Sequence, residues 1–269
     1  MKIYIYGIID SGDQIAESIY GMRGATVYNI PYCDIGAVVS EISRPVPGAT
    51  KDAVLEHEAV VESLMESFTV LPVRFLTIVD GRNDVLSLLQ GSFKDFKDNL
   101  ERLRNKLEFG IKVIWPADRI RENIIKALQK SEQNIPASDD SPKRKFIKEK
   151  FEKYKIDKEF EEKAGRFINA MDIFFSKFAA EKKLEKLKTN NLLLAAVYLV
   201  EKHRQNGFKE AFEHVRSAHP CLKYLLSGPW PPYNFVVLPK KPGLLKDPRQ
   251  AAASDEIIEC QGLVGVDNR

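Results

Sequence analysis

Gly228-Pro229-Trp230-Pro231-Pro232-Tyr233-Asn234-Phe235-Val236 is the stretch on which the reading of this chain turns. Its prolines fix φ at about −65° and remove backbone donors. Each residue before a proline is also pushed out of the α region. The segment is therefore expected to run extended, close to polyproline II. Onto that stiff ribbon the sequence places Trp230, Tyr233 and Phe235. Large aromatics on a rod with little entropy left to lose make either a clamp or a docking surface. Trp230 and Phe235 are expected to pack inward, with Tyr233 keeping a wet edge. Pro229 and Pro232 also form a P-x-x-P, but the aromatic neighbours suit self-packing better than an SH3-type ligand.

A second unusual stretch is Thr69-Val70-Leu71-Pro72-Val73-Arg74-Phe75-Leu76-Thr77. It is β-branched and aromatic, as strands are. Pro72 cannot donate to a ladder, which predicts an edge strand or a bulge. Arg74 shares one face with Val70, Leu76 and Ile78, and a charge on a mostly apolar face needs a partner. That partner is either an acid such as Asp80 or a helix glutamate, or a carboxylate of another protein held in a bidentate fork. "TVLPVRFLT" following "LEHEAVVESL", together with "GPWPPYNFV", "YIYGII" and "CDIGAVVSEI", resembles the gas vesicle protein L/F (GvpL/GvpF) family over residues 2–238. The chain departs from the family at Leu76, where glycine commonly follows Arg-Phe.

The resemblance implies a non-enzymatic, minor or accessory component of the gas vesicle, acting in the cytoplasm and at the vesicle. Such a protein binds the small hydrophobic shell protein and other accessory members and aids nucleation or growth of the shell. It also implies a ferredoxin-like second domain. Pro72, Arg74, Trp230, Tyr233 and Phe235 are the residues expected to meet partners.

Composition bounds these readings. At 44% hydrophobic and 29% charged, 269 residues form a soluble chain of one large or two modest domains. The longest apolar run, Leu192 to Val200, is too short for a bilayer, which needs about 20 residues. The N-terminus lacks a signal-peptide design. Cys33, Cys221 and Cys260 are far apart and odd in number, which predicts reduced thiols. Residues 1–115 hold 12 Lys+Arg against 16 Asp+Glu and the remainder 29 against 22, so a −4 half precedes a +7 half. Such polarity orients a protein on an acidic partner.

Periodicity predicts an α+β fold. Residues 1–115 read as a mixed domain around a mostly antiparallel sheet: a buried strand over 2–9, shorter strands over 25–30 and 35–43, a helix from Lys51 to Phe68, the Pro72 strand, helix over 83–107 broken near Gly91-Ser92, and a strand from Glu108 to Trp115. Residues 116–238 read as a ferredoxin-like domain with a long helical insertion. In it, 118–133 is amphipathic helix and Gln133 to Pro142 a loop. Lys143 to Leu187 is helix, with a break near Ile156-Asp157 where the stripe Ile147, Phe151, Tyr154 falls out of phase with Phe160. Leu192 to Val200 is a strand, Phe208 to Ala218 a helix and Leu222 to Ser227 a strand. Residues 239–269 are expected to be a loosely held tail.

Chemistry offers two further readings. His57 lies on the apolar stripe of its helix, so a core histidine is favoured over an acid/base one. As an alternative, His57 and Arg74 with nearby carboxylates would form an enzyme site between domains. Glu58, Glu62 and Glu66 form a ladder with no histidine at matching spacing, so no metal is expected. His214 and His219 share no helical face, and nothing orients either on Cys221. The Lys143–Lys163 run holds nine basic and six acidic residues among aromatics, which raises an RNA-binding module. Without a K/R-G-F-x-F strand the run reads as a solvated face. No nucleic acid, membrane, cofactor or catalytic residue is therefore expected.

Overall fold

The computed structural model describes residues 2–15, 19–42, 50–132, 142–185 and 191–237. They divide into two compact units: the described residues of Met1–Arg102 with Val236–Arg269, and Leu103–Phe235. The fold is mixed α+β. The division falls at 102/103, not at 115/116, because the strand read as the last of the first domain pairs with strands that follow it. The tail expected over 239–269, most of the 133–142 loop and Cys260 lie outside the described residues.

The first unit is built on β1 (Lys2–Ile9), whose residues after Lys2 are all buried, as a strand apolar on both faces requires. β1 pairs antiparallel with β3 (Ile35–Ile42), which pairs with β2 (Val27–Tyr32). Its other edge meets β4 (Val70–Pro72) and β5 (Ile78–Val79). Gly7 is required in β1, since a Cβ there would stand 2.9 Å from Val70 and 3.0 Å from the Leu71 carbonyl oxygen. α1 (Lys51–Ser67), capped by the Thr50 hydroxyl, lays Val60, Val61 and Leu64 on the core around Tyr4, Tyr6 and Val38. α2 (Arg82–Gly91) and α3 (Phe93–Leu103) follow, separated at Ser92 near the predicted break.

The strand expected over 69–77 is broken. After Pro72 the chain makes a four-residue turn, closed by the Thr77 N–H on the Arg74 carbonyl at 3.2 Å. Its third residue, Leu76, has φ 65°, the left-handed region that favours glycine. The Tyr4 hydroxyl accepts the Leu76 N–H at 3.2 Å and lies 3.0 Å from His57 Nδ1. We assign the hydroxyl as donor to Nδ1, which leaves the ring proton on Nε2.

His57, 1% exposed, sits among Tyr4, Tyr6 and Phe75, with ring centroids 5.6–5.8 Å away. Burial pushes its imidazole down to about 4, opposed by the Val73 backbone carbonyl. Its Nε2 has no hydrogen bond of normal geometry among the described residues.

In the second unit β6 (Lys106–Ile114) is central. It pairs antiparallel with β8 (Leu192–Glu201) and β9 (Lys223–Trp230), and β7 (Ala179–Glu185) pairs with β8, giving the order β7-β8-β6-β9. α4 (Ala117–Glu132) and α5 (Pro142–Ser176) connect β6 to β7, and α6 (Gln205–Ala218) connects β8 to β9. Phe175 and Phe208 pack on Tyr198 at 5.6 and 5.5 Å, and Trp115 on Phe160 at 4.6 Å.

Two expectations fail here. α5 runs unbroken through Ile156-Asp157, and Asp157 is no cap: it pairs with Arg121 of α4 at 2.7 Å. The phase shift instead marks a change of surroundings, since Phe160, Ala164, Met171 and Phe175 are buried whereas Ile147, Phe151 and Tyr154 are exposed. Nor does helix continue past Ser176. Glu181-Lys182-Lys183-Leu184-Glu185 has helical propensity but takes up the edge ladder of β8, where pairing outweighs propensity.

Two predictions follow from the first unit. Because folding depresses the His57 pKa, the unfolded chain takes up a proton below about pH 6.5 that the folded chain refuses until about pH 4. Stability therefore falls as pH drops through that window, by about 2 kcal/mol at pH 5. Denaturant titrations at pH 7 and 5 should show a steeper loss for the wild type than for His57→Gln, and equal losses would refute the assignment. At Leu76, glycine relieves backbone strain that offsets its entropy and lost packing, so Leu76→Gly should leave stability within about 1 kcal/mol of wild type. Leu76→Val, with a β-branched residue at positive φ, should cost about 1–2 kcal/mol. A Val variant as stable as the parent would count against the strain.

Candidate functional site: an anchored aromatic ribbon

The proline-rich segment is not the continuous extended rod that its composition suggests. β9 carries it in ladder pairing as far as Trp230, opposite Glu108. Gly228, at φ 107°, lies so close to the Glu108 carbonyl that a Cβ would come within 2.6 Å of the oxygen. The Gly228–Pro229 peptide is cis. Beyond Trp230 the buried Pro231 and Pro232 lead into a turn, held by the Tyr233 N–H on the Pro231 carbonyl at 2.7 Å and the Phe235 N–H on the Pro232 carbonyl at 3.0 Å.

Glu108 anchors the turn. Adjacent residues of β6 point to opposite faces of the sheet. Phe109 packs on Phe208 of α6, so Glu108 projects from the face that the helices leave open. Its carboxylate, buried, accepts the Asn234 backbone N–H at 2.8 Å and the Asn234 Nδ2–H at 2.5 Å. Lys183 of β7 donates to the Asn234 carbonyl and holds its ammonium 5.2 Å from the Phe235 ring centroid. Burial pushes the Glu108 carboxyl up, while the Asn234 donors and then Lys183 favour its charged form. The ribbon is thereby folded back over the open sheet face.

The three aromatics are consequently sorted. Phe235 is 1% exposed and packs inward as expected, and Tyr233 is half-buried. Trp230, expected inward, is instead 37% exposed, because ladder pairing turns it out before the prolines bend the chain. Sequence reasoning missed Glu108, Lys183 and Asn234. The available signal was a carboxylate flanked by Leu107 and Phe109 at the start of a strand.

Other candidates do not assemble. Pro72 is buried in β4, while Arg74 stands exposed beside the Leu76 turn. Asp80, its expected acid, pairs with Lys2 at 2.6 Å, and Arg74 has no ion pair among the described residues. His57 is enclosed by aromatics whereas Arg74 faces solvent, so the convergence that an enzyme site at these residues needs is not formed. A cavity of about 340 Å³ between α4 and α5 is lined instead by Arg121, Glu149, Glu152, Lys153, Ile156 and Asp157, among others. The basic, aromatic run of 143–163 lies on α5, not on a sheet face where bases would stack. Cys33 and Cys221 are exposed free thiols. No helix among the described residues is long and apolar enough to cross a membrane.

Known proteins are similar to this chain in sequence and in fold. The chain resembles gas vesicle protein F2 of Halobacterium salinarum, with 27% identity over 238 residues covering 87% of this chain and 91% of the relative. It resembles gas vesicle protein L of Streptomyces sp. (strain CB03234) at 24% over 253 residues, covering 87% and 92%. In fold it matches the crystal structure of the gas vesicle protein GvpF from Anabaena sp. PCC7120, with a TM-score of 0.76 at 19% identity, over 88% of this chain and 99% of that one. The family model described as gas vesicle synthesis protein GvpL/GvpF matches residues 2–237, a span that runs from the first residues of β1 to the end of the anchored ribbon, and the chain belongs to that family.

Proposed function

We propose that this chain is a non-enzymatic accessory protein that binds the hydrophobic gas vesicle shell protein, and other accessory proteins, while the shell nucleates and grows. It works in the cytoplasm and at the vesicle. A very apolar shell subunit aggregates unless its helices or strand edges are covered during assembly. The reading is carried by one observation: a ribbon fixed by the buried Glu108 carboxylate that still turns Trp230 to solvent. An aromatic held in place before docking loses little entropy on binding, and tryptophan and tyrosine dominate interface energetics.

The connectivity of the second unit supports reading it as a ferredoxin-like module. Its strand–helix–strand–strand–helix–strand sequence and β7-β8-β6-β9 order fit that topology, with α4 and the first half of α5 as the helical insertion. In the first unit, Arg74 is the group suited to a partner's carboxylate, beside an edge that Pro72 and the Leu76 turn keep from propagating a sheet.

Trp230→Ala combined with Tyr233→Ala should weaken capture of purified shell subunit by about tenfold or more while the fold is kept, since both side chains retain solvent exposure. Undiminished pull-down by the folded double variant would remove the ribbon from the mechanism. Glu108→Ala leaves every ribbon aromatic in place but frees the turn. It should lower capture too, with the Trp230 fluorescence anisotropy falling, because ordering the loosened ribbon now opposes binding. Full capture by Glu108→Ala would show that anchoring is irrelevant.

A further inference from the structure

The first half of α5 is the largest feature that the ribbon does not explain. Phe146, Ile147, Phe151 and Tyr154 are 56–62% exposed, and Ile147, Phe151 and Tyr154 fall on one stripe at i, i+4 and i+7 with Phe146 next to Ile147 at its edge. Lys150 and Lys155 place their ammonium groups 4.7 Å from the ring centroids of Phe146 and Phe151. The carboxylates of this half, Glu149, Glu152 and Asp157, lie toward α4, where Asp157 meets Arg121. The outward side is thus aromatic and cationic. Over Pro142–Lys158 the sequence holds eight Lys+Arg and three Asp+Glu.

A complementary surface exists on the same protein. α1 has 17 residues, with five carboxylates and a single lysine. Its outward residues Leu55, Ala59, Glu62 and Glu66 fall on one face by helical spacing, and Leu55 is 55% exposed. Each helical segment is about 25 Å long, so the two match end to end. One offers aromatics fringed by cations, and the other offers an apolar residue and a small one followed by carboxylates.

We propose that the exposed first half of α5 is a self-association surface that receives α1 of a second copy. The inference is separate from shell binding by the ribbon. The contact is heterologous, α1 of one copy on α5 of the next, so it leaves a further α1 and a further α5 for additional copies. One helix laid on another buries less than a stable interface needs, so association is weak, concentration-dependent and reduced by salt.

The experiment uses the full chain and two variants, each disabled on one side. Lys150→Glu with Phe151→Glu removes the α5 surface, and Leu55→Lys with Glu62→Lys removes the α1 surface. All four positions are exposed, and far-UV circular dichroism verifies folding. By sedimentation velocity the wild type should associate as its concentration rises, less so at high salt. Each variant alone should associate at least about tenfold more weakly. Mixed, they should pair, because the intact α1 of the first meets the intact α5 of the second. A wild type that stays monomeric throughout, an α5 variant that associates like the wild type, or a mixture that stays monomeric overturns the proposal. So does binding of the wild type to anionic phosphatidylserine vesicles or to single-stranded RNA, in the absence of self-association, that the α5 variant loses. Loss of shell capture in the Trp230 and Tyr233 variant with self-association intact would bear on the ribbon alone.

Discussion

A carboxylate held in a low-dielectric site with two donors from one residue governs the second unit. Glu108 stands on the central strand, and its partner Asn234 lies 126 residues away at the end of the ribbon. A buried carboxylate without partners would be strongly unfavourable, so burial and hydrogen bonding stand or fall together. Once Glu108 is satisfied, Asn234 has one place to be. The prolines on either side of the bend then have few conformations left. Phe235 is drawn inward beside Lys183, while Trp230, already committed to the β9 ladder, is left facing out. The carboxylate anchor and the ladder together decide which aromatics serve the core and which stay exposed.

The first unit follows similar logic without a charge. Tyr4 and Tyr6 bring hydroxyls into an otherwise apolar interior, and each is answered: Tyr4 by His57 and the Leu76 N–H, Tyr6 by Ser40 and the Met22 N–H. Burial pushes both phenols up and His57 down, so all three are neutral at physiological pH. The hydrogen bond from Leu76 ties the left-handed turn to this cluster. It explains how a leucine is held at a positive φ that favours glycine: surrounding structure over-determines a backbone conformation that would otherwise be avoided.

Much of the fold was legible in the chain because its periodicities are strong. β1 is apolar on both faces, α1 carries a clean stripe, and β6 and β8 alternate or run apolar as central strands do. What escaped reading depends on distant partners. Residues 181–185 prefer helix locally and become β7 only because β8 offers a ladder. The turn at Leu76 is hidden by a residue type that seldom adopts positive φ. Arg74 and Pro72 were recognised as unusual, but that Asp80 belongs to Lys2 follows from tertiary placement alone. Glu108 and Asn234 are ordinary residues until the fold brings them together. The ribbon was found by composition, and its orientation was not, since ladder pairing and proline bending compete within three residues.

α5 is shaped by the same competition between local pattern and distant partners. It is one continuous helix with two apolar stripes out of phase. A stripe that changes phase without a break means that the helix leaves one surface and presents a different side to something else. From Phe160 onward that surface is the sheet of its own unit, with Phe175 and Met171 fully covered. Before Phe160, α4 covers the polar side and the aromatic side is left open. Exposed aromatics are an aggregation hazard, and lysines stacked on their rings keep such a face soluble while making it selective for a carboxylate-bearing counterpart. The cost of leaving four large side chains in water over so short a span is difficult to reconcile with a purely solvated helix, and it is removed when an acidic helix covers them.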